Sequence, residues 1–488
     1  PDVAWISMPA LAYVLVLLTA MGWLLPGLSF FVDRFRLPPL LTLAAVLLLT
    51  STALQVDHYY RVFPPAPGAP AAVGPVEALA ANDARLGATE RPVVVVAASG
   101  GGIRAAVWTA HVLGELERPE AVGPEFPRAL RFISAVSGGS VGTLFYLDAF
   151  GAPSATPRPV MNAAANGLDA AAWGLAYPDL WRAFLPVLFR VADRDVDRGW
   201  ALEETWRRRL SDTELRISAW RQRVAEGSLP PAALNATVAE TGEQLLLTPL
   251  EVPRAWGARS LRESGRLFDM RASTAARLSA TFPFVSPMAT AALDQRGRLM
   301  RPQRPGPHVG DGGYYDNFGV VTAVHWVETV LAGREAALGG RGVLLVVISA
   351  SPFGPGEVDG PPPMGEGGWL YALAGPGVAL ARVRSSTQLA RNRVELDLLQ
   401  QKWRLRGVPF SYIIFEQPGP GPLSWKLTDR ERDRVLADWR EWPNPERLRE
   451  LRRCFLDIRA CQGEPRPPLP QGSPPLGGLP AAAASPRP

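Results

Sequence analysis

The sequence predicts an α/β fold with a three-layer α/β/α arrangement around a mostly parallel central sheet, preceded by an apolar N-terminal helical hairpin. Three observations carry this. Two uncharged apolar runs stand near the N-terminus, at 11–32 and 37–54. Short runs rich in β-branched residues, Val93 to Ala98 and Leu130 to Val136, have the continuous apolar character of strands buried on both faces. Stretches of helical character separate the strand candidates, as a doubly wound sheet requires.

The first run, "LAYVLVLLTAMGWLLPGLSFFV", has about the ~20 residues needed to span a hydrocarbon core, with a kink expected at Pro26. The second, "LPPLLTLAAVLLLTSTAL", sits at the lower limit of spanning length, and "DRFR" separates the two. Residues 1–62 are therefore expected to form a transmembrane hairpin. The two arginines of its loop favour a cytoplasmic loop with the rest of the chain on the other side, while Arg61 weighs against this, so orientation stays open. Because the chain begins at Pro1 and not Met, natural sequence is expected to precede it. Residues 63–92, rich in Pro, Ala and Gly, read as a linker. The main domain is expected over 93–462, with a helix at 105–117 and further strands at 233–238, 343–349 and 410–415. The Gly- and Pro-rich stretch 351–368 reads as a surface insertion in preference to a mobile flap over a site. Residues 463–488 read as a disordered tail.

Of the 488 residues 47% are hydrophobic and 20% charged, enough apolar material for a large core and a membrane segment. The net charge is +5, but the basic residues are nearly all arginine, with Lys402 and Lys426 the only lysines. Neither a basic run nor an RNA-binding aromatic signature accompanies them, so no nucleic-acid partner is expected. Cys454 and Cys461 form either a small disulfide loop or two ordinary thiols. The sequence contains neither H-E-x-x-H nor a paired C-x-x-C, so no metal or cofactor is expected.

Chemistry concentrates in three stretches. "FISAVSGGSVGTLFYL" holds Ser134, Ser137 and Ser140. Gly138, Gly139, Ser140, Val141 and Gly142 match G-x-S-x-G after a strand and before a helix-like run, the context of a nucleophile elbow, which selects Ser140. Gly100, Gly101 and Gly102 follow the first strand and open a helix. Their N–H groups, with that of Val141, are candidate donors to a developing oxyanion. A rival reading takes Gly100, Gly102 and Ala105 as a dinucleotide fingerprint, but the second strand lacks the acidic residue that this needs. In "HVGDGGYYDNFG", Gly312 and Gly313 let the short carboxylate of Asp311 turn into a cleft, with Asp316 the nearest rival. His325 is the only histidine after Asp311, so a Ser-His-Asp order would have to use it from within a helical run. His308 stands near Asp311 as a supporting group; His58 and His111 fall near the membrane run and on the first helix.

In this order, "SGGGIR", "GGSVG" and "DGGYYDN" resemble the patatin-like phospholipase family, over roughly residues 92–415. Two further stretches, 234–246 and 273–287, resemble its other elements. The resemblance implies an oxyanion loop over Gly100 to Arg104, a nucleophile at Ser140 and a catalytic aspartate at Asp311, acting as a dyad without histidine. Arg104, Gly138, Gly142, Gly312, Gly313 and Asn317 would support it. It implies a membrane-anchored bacterial lipid acyl hydrolase of the inner membrane, with a membrane lipid or lysolipid as substrate and the bilayer as partner. The family usually has Asp before the glycines and Gly after the basic residue, where this chain has Ser99 and Ala105. The alternatives are a catalytically silent membrane interaction protein and a Ser-His-Asp esterase using His325.

Overall fold

The computed structural model describes residues 8–52, 57–64, 68, 70–86, 90–152, 157–184, 195–260, 269–282, 285–292, 306–333, 340–352, 369–419 and 423–462. Helices α1 (Ala10–Asp33) and α2 (Pro39–Thr52) arise from the two apolar runs. Among the described residues only α1 is long and apolar enough to cross a membrane. The 14 residues of α2 rise about 21 Å at ~1.5 Å each, short of the ~30 Å core. The structure thus has one N-terminal apolar helix of spanning length, where two were expected. β1 (Tyr59–Arg61) follows.

The segment 63–92 is more than a linker, because it contains α3 (Pro75–Leu86). Ala78 and Asn82 of α3 are wholly buried, and Asn82 Nδ2 donates to the carbonyls of Gly227 and Leu229 at 2.9 and 3.1 Å. Its single narrow buried stripe is hidden in sequence by the surrounding Pro, Ala and Gly.

β2 (Val93–Ala98), α4 (Gly102–Leu116), α5 (Glu125–Ala129), β3 (Leu130–Val136) and α6 (Gly138–Asp148) form the first crossovers. A helical stretch follows: α7 (Arg158–Ala163), α8 (Leu168–Gly174), a π-turn (Leu175–Asp179), α9 (Leu180–Phe184), α10 (Arg198–Arg207) and α11 (Ile217–Ala225). Next come β4 (Ala232–Val238), β5 (Gln244–Leu247), β6 (Arg259–Ser260), α12 (Ala272–Ser279), β7 (Thr290–Ala292) and β8 (Val309–Asp311). The domain ends with α13 (Val320–Leu331), β9 (Val343–Ser349), α14 (Trp369–Leu405), β10 (Phe410–Glu416), α15 (Asp429–Ala437) and α16 (Asn444–Leu456). The first helix of the domain begins at Gly102, three residues earlier than its composition suggests.

The main sheet runs β10-β9-β2-β3-β4-β5-β6, and β8 also pairs with β4. Pairing is parallel from β10 to β4 and between β5 and β6, and antiparallel where β5 and β8 meet β4. β2, β3, β4 and β9 are buried along their whole length, which their unbroken apolar runs require. α13 packs on the sheet with Trp326 stacked on Phe132 of β3, ring centres 5.3 Å apart. β1 and β7 form a separate parallel ribbon. Cys454 and Cys461 are joined as a disulfide at the end of α16. Most of the 351–368 insertion and all of 463–488 lie outside the described residues.

Candidate active site

The site grows out of one register change. β3 pairs with β4 up to Val136 opposite Asn235; the next residue of β4, Ala236, pairs instead with Asp311 of β8. β8 enters the sheet where β3 leaves it, so the residue that follows Val136 emerges beside Asp311. That residue is Ser137. Its φ of 51° and ψ of −121° put a non-glycine residue in a region that L-residues avoid, and this strain turns the chain sharply from strand into α6.

Ser137 Oγ donates to Asp311 Oδ2 at 2.7 Å. The other carboxylate oxygen, Oδ1, accepts the Gly313 N–H at 2.7 Å, and the Asp311 carbonyl accepts Thr237 Oγ1 at 2.9 Å. The aspartate is thus fixed from its backbone outward with one oxygen aimed at the serine. Gly312 allows β8 to approach this closely, since a Cβ there would lie 2.1 Å from the Asn235 carbonyl oxygen.

Ser140, the sequence-predicted nucleophile, sits inside α6 with no exposed surface. Its Oγ lies 2.7 Å from Ser279 Oγ. Ser279 gives its own hydrogen to the Asn235 carbonyl at 2.5 Å and accepts the Ser137 N–H at 3.1 Å. A hydroxyl has one hydrogen, so Ser140 must be the donor to Ser279. The serine that meets Asp311 is Ser137, not Ser140. The reason is positional: 138–142 lies within the helix, whereas the turn falls one residue after the strand. Ala135, Val136, Ser137, Gly138 and Gly139 spell the same elbow with alanine at the first small position, and that was the available signal.

The glycine loop runs beside this turn. A Cβ on Gly100 would lie 3.1 Å from Ser137 Cβ, and one on Gly138 would lie 1.9 Å from the Gly102 carbonyl oxygen. Gly101 and Gly102 have φ of 145° and 62°, conformations that suit glycine. Two expected donors are already committed: the Gly100 N–H to the Asn317 carbonyl at 2.8 Å, and the Val141 N–H to the Ser137 carbonyl at 3.3 Å. The N–H groups of Gly101 and Gly102, at the start of α4, and of Gly138, at the start of α6, have no hydrogen-bond partner among the described residues. Gly142 serves packing, since a Cβ there would lie 2.5 Å from the Ala106 carbonyl oxygen.

Arg104 points away from this chemistry. Its Nη1 donates to the Gly419 carbonyl at 3.3 Å; burial lowers its pKa and nearby Asp438 partly offsets this. The Asn317 N–H donates to Gln388 Oε1 of α14 at 3.1 Å, and the Asn317 Oδ1 abuts Gly100 and Gly313. Asp316 is a cap: it accepts the N–H groups of Phe318 and Val321 and Asn392 Nδ2, each at 3.0 Å. His325 of α13 stacks against Trp256, its buried Nδ1 without a hydrogen-bond partner among the described residues and its pKa lowered by burial. His308 is held between Asp57 and Glu240 at 2.9 and 2.5 Å. His111 is pushed down to about 4 by burial. His58, Asp179 and Asp197 bring possible ligand atoms within 4.8 Å of one another, but His58 and Arg198 already hold one oxygen of each carboxylate.

Neither a protein-family model nor a curated protein matches the chain. Among solved structures it is similar to human GIVD cytosolic phospholipase A2 in complex with methyl gamma-linolenyl fluorophosphonate. The identity there is 14%, over 79% of this chain and 62% of that one, with a TM-score of 0.35. It is also similar to VipD from Legionella pneumophila, at 11% identity over 82% and 71% of the two chains, with a TM-score of 0.29. Both similarities are structural, at low sequence identity.

Proposed function

We propose that the chain is a membrane-tethered serine acyl hydrolase that cleaves carboxylic esters of lipids with Ser137 as nucleophile and Asp311 as general base. The observation that carries this reading is the 2.7 Å hydrogen bond from Ser137 Oγ to Asp311 Oδ2 at a strained strand-to-helix turn. Asp311 takes the serine proton as Oγ attacks the ester carbonyl carbon. The carbonyl oxygen becomes an oxyanion, stabilised by the N–H groups of Gly101, Gly102 and Gly138 at two helix starts. Collapse of the intermediate breaks the ester bond, and the alcohol leaves with the proton held by Asp311. Water, deprotonated by Asp311, then attacks the acyl-enzyme and releases the fatty acid and Ser137.

The motif order of the patatin-like family and the exposed apolar surface of α1 support a lipid substrate. Membrane anchoring by α1, with α2 folding back as a short second arm, places Arg34 and Arg36 at the far end from the domain. Arginines at that tip favour a cytoplasmic loop, and the Cys454–Cys461 disulfide favours an oxidising compartment for the domain.

The test is labelling of the full chain, reconstituted in vesicles, with a fluorophosphonate probe. Wild type and Ser140→Ala are expected to label alike, Ser137→Ala not at all, and Asp311→Asn about 100-fold or more slowly, the usual worth of a general base. An adduct mapped to Ser140, or no labelling of folded wild type, overturns the assignment. Labelling that survives Asp311→Asn and disappears in His325→Ala favours a histidine triad instead.

A further inference from the structure

The polarity of the segment from α8 to α9, "LDAAAWGLAYPDLWR", is inverted relative to a water-facing helix. Its charged side chains are all engaged with other groups of the chain. Asp169 accepts the Ala10 N–H at 2.9 Å and Asn166 Nδ2 at 2.7 Å. Asp179, 8% exposed, is held by Arg198 at 2.7 Å, and Arg182 donates to the Val196 carbonyl at 2.6 Å. The side chains that do face outward are apolar and aromatic: Leu175, Tyr177 and Trp181 are 41%, 43% and 44% exposed. A soluble surface helix distributes these classes the other way round.

This face adjoins the start of α1. Tyr13 is buried against Ala170, Trp173, Ala176 and Ala201, and its ring meets that of Tyr177 edge-on at 6.1 Å. Beside the contact, an open groove of about 420 Å³ is lined by Met8, Tyr13, Trp173 and Tyr177. Past Tyr13, α1 exposes apolar side chains, Val14, Leu15 and Leu18 among them. The residues from Val14 to the end of α1 at Asp33 number 20. At ~1.5 Å each they extend about 30 Å, the thickness of a hydrocarbon core. Tyr13 therefore marks the level at which α1 enters the bilayer, and Tyr177 lies at that level too.

Given the reading of α1 as a membrane anchor, we infer that the outward face of residues 175–181 is a second membrane contact. It lies in the headgroup and upper acyl layer of the bilayer that α1 crosses. The occupant is lipid: the face is continuous with the apolar surface of α1, and Tyr and Trp are the side chains enriched at that depth. The catalytic domain would then rest on its membrane through its own surface and not hang from a tether.

Trp181→Cys and, separately, Leu175→Cys in the full chain, each labelled with an environment-sensitive fluorophore, test this in phosphatidylcholine and phosphatidylglycerol vesicles. Trp442→Cys, on an exposed site outside the segment, is the reference. Labels at 181 and 175 are expected to be quenched at least about two-fold more than the reference by lipids spin-labelled near the headgroup, and less by aqueous iodide. Iodide quenching equal to the reference, without lipid quenching, overturns the proposal. So does iodide protection that vanishes when labelled chains are diluted with excess lipid, which would identify a second copy of the chain as the occupant. The readout requires no turnover, so it succeeds or fails separately from the Ser137 assignment.

Discussion

Ser279 accepts from two donors, the Ser137 N–H and the Ser140 hydroxyl, and gives its single hydrogen to the Asn235 carbonyl. It thereby holds the backbone of the strained serine from behind. Ser279→Ala would strand two buried donors, at a cost of about 1–3 kcal/mol. It would also loosen Ser137, and kcat is expected to fall about 10- to 100-fold with little change in KM, since small misplacements cost that much. Ser279→Thr, which keeps the hydroxyl, should recover most of both, as thermal melts and steady-state kinetics will show. The different partners of Ser137 and Ser140 have their origin at this scale. Two elbow-like patterns overlap by two glycines, and the one with the better letters is one turn too late. What separates them is φ at Ser137, which no residue type reports, since a strained serine has the same letter as a relaxed one. The turn at Asp311 is legible because the glycines after it have a purely local reason to be there.

Among elements, β4 holds the site together. It pairs with β3, β5 and β8 within seven residues, and its Asn235 side chain bonds Ser134 Oγ at 3.0 Å and the Ala135 carbonyl at 2.8 Å. Gly312→Ala places a methyl group 2.1 Å from the Asn235 carbonyl oxygen, so β8 must move off β4. The expected cost is about 1–3 kcal/mol of overpacking, and probe labelling of Ser137 should drop with the melting temperature. The cap of α13 makes a separate prediction. Asp316→Ala removes the acceptor of the Phe318 and Val321 N–H groups and should cost about 0.5–2 kcal/mol, measured by denaturant unfolding. Strands β2, β3 and β9 could be read to the residue because burial on both faces imposes an unbroken apolar run. β8 could not: at three residues it lacks a periodicity, and its place is set by a partner far away in sequence. α3 was missed because one buried stripe within a Pro- and Ala-rich stretch resembles a linker.

For the whole molecule, His308 links Asp57, which lies beyond α2, to the strand that carries Asp311. The hydrogen bond to Asp57, then that to Glu240, raises its pKa to about 9 despite partial burial. Burial alone would raise the two carboxyl groups, but the bonds from His308 outweigh it and lower both. The histidine is charged in the fold at pH values where an unfolded one, near ~6.5, is neutral. Its contribution is therefore complete below the unfolded value and is lost as pH rises through about 9. The carboxylates contribute in the opposite sense, above their unfolded values, and that part is lost as pH falls through their lowered ones. Melting temperature is expected to form a plateau from mildly acid to neutral pH and to decline toward pH 9, and His308→Asn should flatten the alkaline decline. The register change between β3 and β8 has a consequence for synthesis. Ser137 and Asp311 are 174 residues apart, and the slot for β8 opens only once β4 is in place. On the proposed reading, a chain still on the ribosome carries Ser137 without its base until Asp311 has been made, 174 residues later. The proposed dyad therefore cannot act on a lipid before both β4 and β8 have been made.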